Sequence, residues 1–320
     1  MATPMTEPLL VHPGKLHYFV REIFKRLRVP PKDASRIADV LIAADLAGVE
    51  DQGVSRMAFY SDRLSAGLVN PTPRLEVVEE KGAVVTLTGD NGPGPVVAVR
   101  AMELGIGMAA KSGIAAVAVR ESNQPGMLSY YARLPLDKKM IGVAMTNDRS
   151  IFTTPGGSRP LYGANPVAIA VPTMEGRNPF VFESTTGSGD VKSYGAAIVV
   201  DILSGLLPGG AFGDELAGAE GDHPSVARIG HFFAAVHIES FGPFTHFRDR
   251  FDLMLKKIAF SGGTGPERGR YPGEEEYESE IERRSNGIPL ATTTRKQLEG
   301  LARRFDIRDA WEQVLATRKT

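Results

Sequence analysis

Apolar residues recur at every third or fourth position through the N-terminal part of the chain. This spacing places the apolar side chains of residues 16–27 on one face, which predicts an amphipathic helix. A second such segment begins near Asp33 and ends around Gly48, because glycine readily adopts the left-handed conformation that closes a helix. A third helix is predicted from about Val54 to Ala66. The N-terminal part is therefore predicted to be a helical unit that ends at the turn-rich residues 70–73.

Beyond that turn the pattern changes to short runs rich in β-branched residues, with helical segments between them. The runs predict strands at residues 84–88, 115–119, 141–145, 167–171, 180–182 and 232–238. Segments 95–111 and 193–206 are apolar over much of their circumference, which predicts helices that lie deep against the sheet. An amphipathic helix is predicted at 244–258, and two charged surface helices at 274–284 and 294–305. The alternation of strands and helices predicts an α/β fold.

Composition narrows the class of protein. The chain has 320 residues, 42% hydrophobic and 23% charged, which is enough to bury a core divided between two domains. A formal net charge of −1 gives no basic field for a polyanion, so we expect a small-molecule ligand and no nucleic-acid or membrane partner. Cysteine is absent, which excludes disulfides and a cysteine nucleophile. The N-terminus lacks a basic start followed by an apolar run, and we expect a cytoplasmic protein.

Glycine-rich segments give no dinucleotide fingerprint of the Rossmann type. Residues 105–110 have nearly the right letters, but they lie inside a predicted helix that precedes its strand. Residues 89–95 lie between a strand and a helix, but their glycine spacing is wrong and indicates a tight turn. The hydroxyl- and glycine-rich loop 185–193 opens a helix beside Lys192. Such a loop can hold a phosphate on backbone N–H groups, or it can be an ordinary capped loop.

A set of dispersed strings carries more information than any one motif. They span nearly the whole chain in this order: ADLAGVEDQGVSRMAFYSDRLSAGLVNPTP, LTGDNGPGPVVAVRAMELGI, AVRESNQPGMLSYYA, IGVAMTN, GANPVAIAVP, VKSYGAAIVVDILSGLLPGGAFG, HFFAAVHIESFGPFTHFRDR, and YPGEEE followed by GIPL. Together they resemble the malate/L-lactate dehydrogenase family, which is unrelated to the Rossmann lactate dehydrogenases and includes ureidoglycolate and sulfolactate dehydrogenases and cyclic-ketimine reductases.

The resemblance implies an α/β fold of the L-sulfolactate dehydrogenase type, with a mixed sheet flanked by helices and a helical domain built from both termini. It implies a helical domain at 1–75 packed with a C-terminal helical segment at 265–320, and a sheet-containing cofactor and substrate domain at 76–264. It also implies NADH or NADPH as cofactor and a homodimer with sites near the subunit interface.

Two departures from the family pattern fall on acid–base residues. The family normally has histidine where Gln52 and Gln124 stand, and the second histidine exchanges the substrate proton, which a glutamine amide cannot do. Arg56 matches the family's substrate-facing arginine, and Tyr60 lies one helical turn further on the same face. A guanidinium binds a carboxylate bidentately, so the resemblance implies a carboxylate-bearing substrate, whereas a lone arginine on an exposed helix is the alternative. We predict Gln52, Arg56, Tyr60 and Gln124 as the catalytic group.

A third departure follows the strand at 180–182. The family has an aspartate, Met-Ala-Thr-Ser and a long connection to a Gly-His-Lys-Gly-Tyr-Gly string that helps to enclose the nicotinamide cofactor. Here Glu183 replaces the aspartate and the long connection is absent, although Lys192, Tyr194 and Gly195 match. The predicted cofactor-binding residues are Asn123, Asn165, Glu183, Thr185, Lys192 and Tyr194.

No motif indicates that a histidine of this chain takes over the acid–base role of the two that are missing. No pair has metal-ligand spacing, so no metal is expected, and His231 and His237 are placed at the two ends of a strand. Other side chains able to donate a proton are Tyr60, Tyr130, Tyr131, Asp148 and Glu183. A carboxylate among them needs a pKa raised by burial to donate at neutral pH.

Three functions remain open at this point. The first is an NAD(P)H-dependent reductase of a 2-oxo acid or, better, a cyclic imine, because hydride addition to a protonated iminium needs no proton in that step. The second is a redox-inactive family member that catalyses a cyclisation, elimination or isomerisation in the same pocket. The third is a protein that only binds a ligand.

Overall fold

The computed structural model describes residues 8–154, 156–174, 178–186, 191–216, 225–261 and 269–316, without the side chains of 191–193. The chain divides into two compact units. The helical unit comprises Met1–Thr72 with Glu275–Thr320, and the sheet unit comprises Pro73–Glu274. The predicted α/β class, with a mixed sheet and flanking helices, is confirmed.

The helical unit follows the apolar repeat of its sequence. Its helices and strands are β1 Leu9–Val11, α1 Pro13–Arg26, α2 Pro31–Ala47, α3 Met57–Ser65, α8 Glu274–Asn286 (whose first residue belongs to the sheet unit), β11 Ile288–Leu290, α9 Thr292–Arg304 and α10 Arg308–Leu315. The first two predicted helices and the two C-terminal ones are confirmed. Phe19 of α1 is fully buried with its ring centroid 5.1 Å from that of Trp311 on α10. Gly48 closes α2 at φ 85, as its residue type predicts.

The third predicted helix differs at its start. Val54–Arg56 is a separate 3₁₀ turn, and α3 begins only at Met57. The reason is local, because the Val54 amide donates to the buried carboxylate of Asp45 at 2.9 Å and does not join an α-helical ladder. Strands β1 and β11 pair antiparallel and were missed, since three residues are too few to show a period.

The sheet unit contains the remaining elements. Its strands are β2 Glu76–Lys81, β3 Val84–Thr88, β4 Ile114–Ser122, β5 Met140–Thr146, β6 Phe152–Thr153, β7 Pro160–Tyr162, β8 Val167–Val171, β9 Phe180–Ser184 and β10 Ile229–His237. Its helices are α4 Gly94–Ser112, α5 Leu128–Arg133, α6 Val191–Asp201 and α7 Phe244–Phe260. The described residues form a seven-stranded sheet in the order β2-β3-β4-β10-β5-β8-β9. All six predicted strands are confirmed within it.

Strand β10 is the centre of this sheet. It runs antiparallel to β4 on one side and to β5 on the other, so β4 and β5 run in the same direction. The carboxyl ends of β4 and β5 therefore lie at one edge, on either side of the residues where β10 begins. The edge strand β2 was missed because all six of its residues are exposed and its glutamates occupy both faces.

The predicted burial of the two apolar helices is right for α4 and wrong for α6. Helix α4 buries much of its length, including Val96, Val97 and Met102. In the stretch that begins with α6, Ile198 is 36%, Val199 50% and Ile202 44% exposed. A helix that is apolar all round can still be covered on one face only, because its sequence does not show which other elements pack against it. In α6 one face is covered and the other is exposed.

Close packing makes glycine necessary at position 142 of β5. A Cβ there would lie 2.1 Å from the backbone oxygen of Ala132 in α5, a distance that forces the helix away from the sheet. We expect Gly142→Ala to lower the free energy of unfolding by about 1–3 kcal/mol, measured by urea denaturation. The matched control is Gly107→Ala in α4, where nothing lies within 4 Å of the new Cβ. That variant should gain about 0.5–1 kcal/mol, and equal losses in both would contradict this packing account.

Candidate functional site

A polar cluster occupies the edge of the sheet where β4 and β5 end. Gln124 comes two residues after the last residue of β4, and Asp148 comes two residues after the last residue of β5. The Nε2 atom of Gln124 donates to Oδ1 of Asp148 at 2.7 Å. The Arg149 amide donates to the same carboxylate oxygen, also at 2.7 Å. Both N–H donors are directed at Oδ1, so Asp148 is the acceptor of this pair.

His231 lies on β10, between the strand ends that precede Gln124 and Asp148. Its Nε2 is 2.9 Å from Oγ of Ser122, and its Nδ1 is 2.8 Å from Oγ1 of Thr146. The side chain is fully buried, and burial lowers its pKa to about 3, although the Asn123 backbone acts in the opposite direction. The ring is therefore neutral at physiological pH.

Two asparagines hold the backbone around the pair. Nδ2 of Asn147 donates to the Ala211 backbone oxygen at 2.9 Å, and Oδ1 of Asn147 accepts from the Gly230 backbone N–H at 2.8 Å. Asn165, a predicted cofactor residue, accepts from the Asp148 amide at 3.0 Å and donates to the Ala197 oxygen at 2.9 Å. The position of Asp148 is thus fixed by its own backbone as well as by its side chain.

The loop that follows β3 is held against the same edge. Nδ2 of Asn123, another predicted cofactor residue, donates to Oδ1 and the backbone oxygen of Asn91 and to the Gly92 oxygen at 3.0–3.1 Å. Gly94 is packed so closely that a Cβ would lie 2.2 Å from the backbone oxygens of Asn123 and Gln124. The glycine-rich segment 89–95 is the tight turn that its spacing indicates, and it lies beside Gln124.

Glu183 has a structural contact at the end of β9. Its carboxylate accepts from the amides of Leu128 and Ser129 at 3.0 and 2.8 Å, and so caps the first turn of α5. The Tyr131 hydroxyl donates to the Pro125 oxygen. Both side chains, considered as possible acids, are therefore used in holding the segment that follows Gln124.

Several aromatic rings and buried hydroxyls belong to residues that follow Asp148 along the chain. The ring of Tyr194, a predicted cofactor residue, has its centroid 5.1 Å from that of Tyr162, which stacks on Phe152 at 5.7 Å. In the described part of the chain, the hydroxyls of Ser150 and Tyr162 are buried without a hydrogen-bond partner. Buried hydroxyls of this kind are normally satisfied by water or a ligand.

The structure describes few contacts for the predicted cofactor residues Thr185 and Lys192. Thr185 is exposed and its backbone oxygen accepts from Oγ of Ser184 at 3.0 Å. The Lys192 side chain and residues 187–190 of the predicted phosphate loop lie outside the described residues.

The helical unit carries the other predicted catalytic residues around one turn. Gln52 donates to Oδ2 of Asp51 at 3.2 Å, and Nε of half-buried Arg56 donates to the Asp51 backbone oxygen at 2.9 Å. Tyr60 is buried, and burial raises its pKa to about 12, so it is a neutral phenol at physiological pH. The structure thus groups Gln52, Arg56 and Tyr60 within the helical unit.

Within the sheet unit, Asn123, Gln124, Asp148 and Asn165 form the cluster at the strand ends. Sequence reasoning missed the roles of Asp201 and His231 near that cluster. The Asp201 carboxyl lies beside Asn147 and Asn165 and has a raised pKa because of burial. For His231 a signal existed, because His231, Phe233 and Ala235 alternate along β10 and all three point into the core.

Comparison with known proteins decides the family. The model of the malate/L-lactate dehydrogenase family matches residues 11–188 and 183–299. The chain belongs to the malate/L-lactate dehydrogenase family. It is 32% identical to malate dehydrogenase of Pyrococcus abyssi over 92% of this chain and 94% of that protein. It is 23% identical to ureidoglycolate dehydrogenase (NAD(+)) of Escherichia coli over 86% of this chain and 90% of that protein.

The solved malate dehydrogenase of Pyrococcus horikoshii superposes with a TM-score of 0.89 at 30% identity, covering 96% of this chain and 98% of that one. Because the family and its relatives are dehydrogenases, the protein is an oxidoreductase of the malate/L-lactate dehydrogenase family. The two pieces of the family match overlap at residues 183–188. The alignment with the Pyrococcus abyssi protein runs over 346 positions, more than the whole chain, so that relative has segments this chain lacks.

Two findings bear on other classes of site. None of the helices among the described residues is long and apolar enough to cross a bilayer. In the same part of the chain, no group of three or more His, Asp and Glu side chains is arranged to hold a metal ion.

The buried carboxyl of Asp45 beneath the Gln52 turn gives a pH test. Burial is the main cause that raises its pKa from 3.8 to about 7, with Glu50 adding to the effect. The folded state holds this proton more tightly than the unfolded state. The protonated carboxyl therefore contributes fully to the free energy of unfolding below about pH 4, and this contribution is lost as the pH rises through 7. Relative to Asp45→Asn, whose amide oxygen still accepts from Val54, the wild type should lose about 2–4 kcal/mol between pH 4 and 7.

The measurement is urea denaturation of both proteins across this pH range, with Glu76→Gln on the exposed strand β2 as the control variant. The Glu76→Gln difference should stay flat with pH. A flat or rising difference for Asp45→Asn would contradict a protonated Asp45.

Proposed function

We propose that this protein is an NAD(P)H-dependent reductase of a carboxylate-bearing cyclic imine. The observation that carries the proposal is the hydrogen bond from Gln124 to Asp148. In this proposal Gln124 takes the position of the family's proton-exchanging histidine, and Asp148 acts as a carboxylate acceptor beside it. A glutamine amide cannot deliver a proton at neutral pH, so we infer a substrate that needs none during hydride transfer.

An iminium ion meets this requirement. A bound imine takes one proton from solvent, and the negative charge of Asp148 stabilises the resulting cation. The Oε1 atom of Gln124 is an acceptor suited to the N–H of that cation. Hydride then adds to the carbon while the C=N electron pair moves to nitrogen, and the product is a neutral amine. The balance is imine, NAD(P)H and one proton giving amine and NAD(P)⁺.

A 2-oxo acid fits this pair less well. Hydride addition to its carbonyl develops negative charge on oxygen, and that charge has to be met by a donor or a proton. Asp148 opposes it, and Gln124 has an N–H already directed to Asp148. The pair therefore favours the imine over the 2-oxo acid within the same family.

Within the helical unit, Arg56 is proposed to bind a carboxylate, as the family resemblance implies. Its guanidinium remains charged at any physiological pH and can take a carboxylate bidentately. Nε is held by the Asp51 oxygen, and the guanidinium carbon lies 5.8 Å from the Phe59 ring centroid, so the side chain is oriented before a ligand arrives. Tyr60 beneath it contributes a neutral hydroxyl.

The described residues of the sheet unit fit a nicotinamide dinucleotide. The buried, unpartnered hydroxyls of Ser150 and Tyr162 and the adjoining ring of Tyr194 suit the polar and flat parts of such a molecule. Asn123 and Asn165 shape the site through the backbone that they hold. When bound, the cofactor supplies the hydride. The relative named for NAD⁺ supports the class of cofactor.

A second candidate is a redox-inactive family member that performs a cyclisation, elimination or isomerisation, or that only binds a ligand. The observation that favours it is that the family match divides into two pieces at residues 183–188, where the resemblance implies a longer cofactor-enclosing connection. We also propose a homodimer, because the apolar face that includes Ile198, Val199 and Ile202 is a surface that a second copy would cover.

Calorimetric titration with NADH and NADPH separates the two candidates. We expect micromolar binding of at least one of them. Tyr162→Phe removes only an unpartnered hydroxyl, so it should weaken that binding by about 3–10-fold without lowering the Tm. Tyr18→Phe in the helical unit is the matched control and should bind as the wild type does. No binding of either cofactor at millimolar concentration would exclude the reductase and leave the second candidate.

Substitutions at the pair test the choice of substrate. Asp148→Asn keeps the shape and removes the charge, so kcat/KM for a cyclic imine-2-carboxylate should fall by about 10–100-fold. Gln124→His places a titrating ring beside Asp148 and should raise kcat/KM for 2-oxo acids by about ten-fold or more. The measurement is the loss of NAD(P)H absorbance with each substrate. An Asp148→Asn enzyme as active on the imine as the wild type would contradict the role of the charge.

A further inference from the structure

His231 is a buried side chain for which the reaction outlined above has no direct use. It contacts the last residue of β4 and the last residue of β5 through one ring, at 2.9 and 2.8 Å. Each of these residues precedes a member of the polar pair by two positions, Ser122 before Gln124 and Thr146 before Asp148. We propose that His231 is a positioning residue that sets the separation of the two strand ends and so aligns the Gln124 amide with Asp148. This inference rests on the proposed function of that pair.

The start of β10 is shaped to present the ring. The pairing of β10 with β4 shifts register between Ile229 and His231, where the single residue Gly230 of β10 faces two residues of β4, Arg120 and Glu121. Gly230 within the shift is packed so that a Cβ would lie 1.8 Å from the Ser204 oxygen. The backbone therefore has little room to move, and the direction of the His231 ring is fixed by the fold.

A neutral imidazole is the side chain that can link two hydroxyls in this way. One ring nitrogen donates and the other accepts, so each of Ser122 and Thr146 finds a matching partner. Oγ1 of Thr146 is also 3.1 Å from the backbone oxygens of Asn147 and Gly230, which ties the link to the residue before Asp148. Phenylalanine has a similar shape and makes neither hydrogen bond. The direct side-chain link between the ends of β4 and β5 would then be lost.

The Gln124 amide reports directly on this alignment. The chain has four glutamines, Gln52, Gln124, Gln297 and Gln313, so selective ¹⁵N labelling of glutamine gives four side-chain NH₂ signals. The Gln124 signal is identified by its loss in Gln124→Ala. In Ser122→Ala, Thr146→Val and His231→Phe, we expect the Gln124 signal to shift and its exchange with water to rise by about ten-fold. The other three signals should stay unchanged.

Met140→Ala is the matched control. Met140 is buried at the opposite end of β5, where it packs with Ala109, Ala115 and Ala235. Its truncation should lower the Tm while leaving the Gln124 signal in place. If His231→Phe does not fold, Ser122→Ala and Thr146→Val each remove one of the two hydrogen bonds and keep the test. An unmoved Gln124 signal in these variants, or an equal change in Met140→Ala, would overturn the proposal.

The readout needs neither turnover nor a known substrate. A protein without reductase activity whose Gln124 signal responds as described would contradict the proposed function and support the role of His231. An active reductase whose signal does not respond would do the reverse. The two claims therefore fail separately.

Discussion

The antiparallel insertion of β10 between β4 and β5 is the constraint on which the candidate site depends. Because β10 pairs with both, the two flanking strands share a direction and end at the same edge. Their next residues then lie on either side of the start of β10, and Gln124 reaches Asp148 across it. No local feature of either loop would bring these two side chains together without that strand order.

Around this edge, three asparagine side chains hold the backbone. Asn123 fixes the loop after β3, Asn147 fixes the start of β10, and Asn165 fixes the Asp148 backbone. Such a network orders a site before a ligand binds, and it lowers the cost of orienting the reacting groups. The result is a pair with a fixed hydrogen-bonding arrangement. In the proposed reductase, the carboxylate of this pair is what favours an iminium over a carbonyl as the substrate.

The apolar pattern predicted the elements that have enough residues to show a period. Strands β3 and β8 were predicted at their observed bounds, and α1, α2 and α4 within a few residues. Three-residue β1 and fully exposed β2 carry no such signal. The exposed face of α6 was not foreseen, because hydrophobicity alone does not state whether a partner surface lies within the chain.

The sequence indicated candidate site residues and not their contacts. Gln124 was singled out by family resemblance, but Asp148 is 24 residues away and became its partner only through the order of the sheet. His231 was assigned to a strand end without a role, since burial on both sides of a central strand depends on which strands flank it. Asn123, Asn165 and Glu183 were predicted to bind cofactor, and each of them has a hydrogen bond to a backbone group.

The central claim is that the Gln124–Asp148 pair selects a cationic nitrogen. It is tested most directly by calorimetry in the presence of NAD(P)⁺, comparing a saturated cyclic amino acid with the 2-hydroxy acid of matching chain length. The account predicts that the cyclic amino acid binds at least about ten-fold more tightly, a difference of about 1.4 kcal/mol. Equal or tighter binding of the hydroxy acid would contradict it.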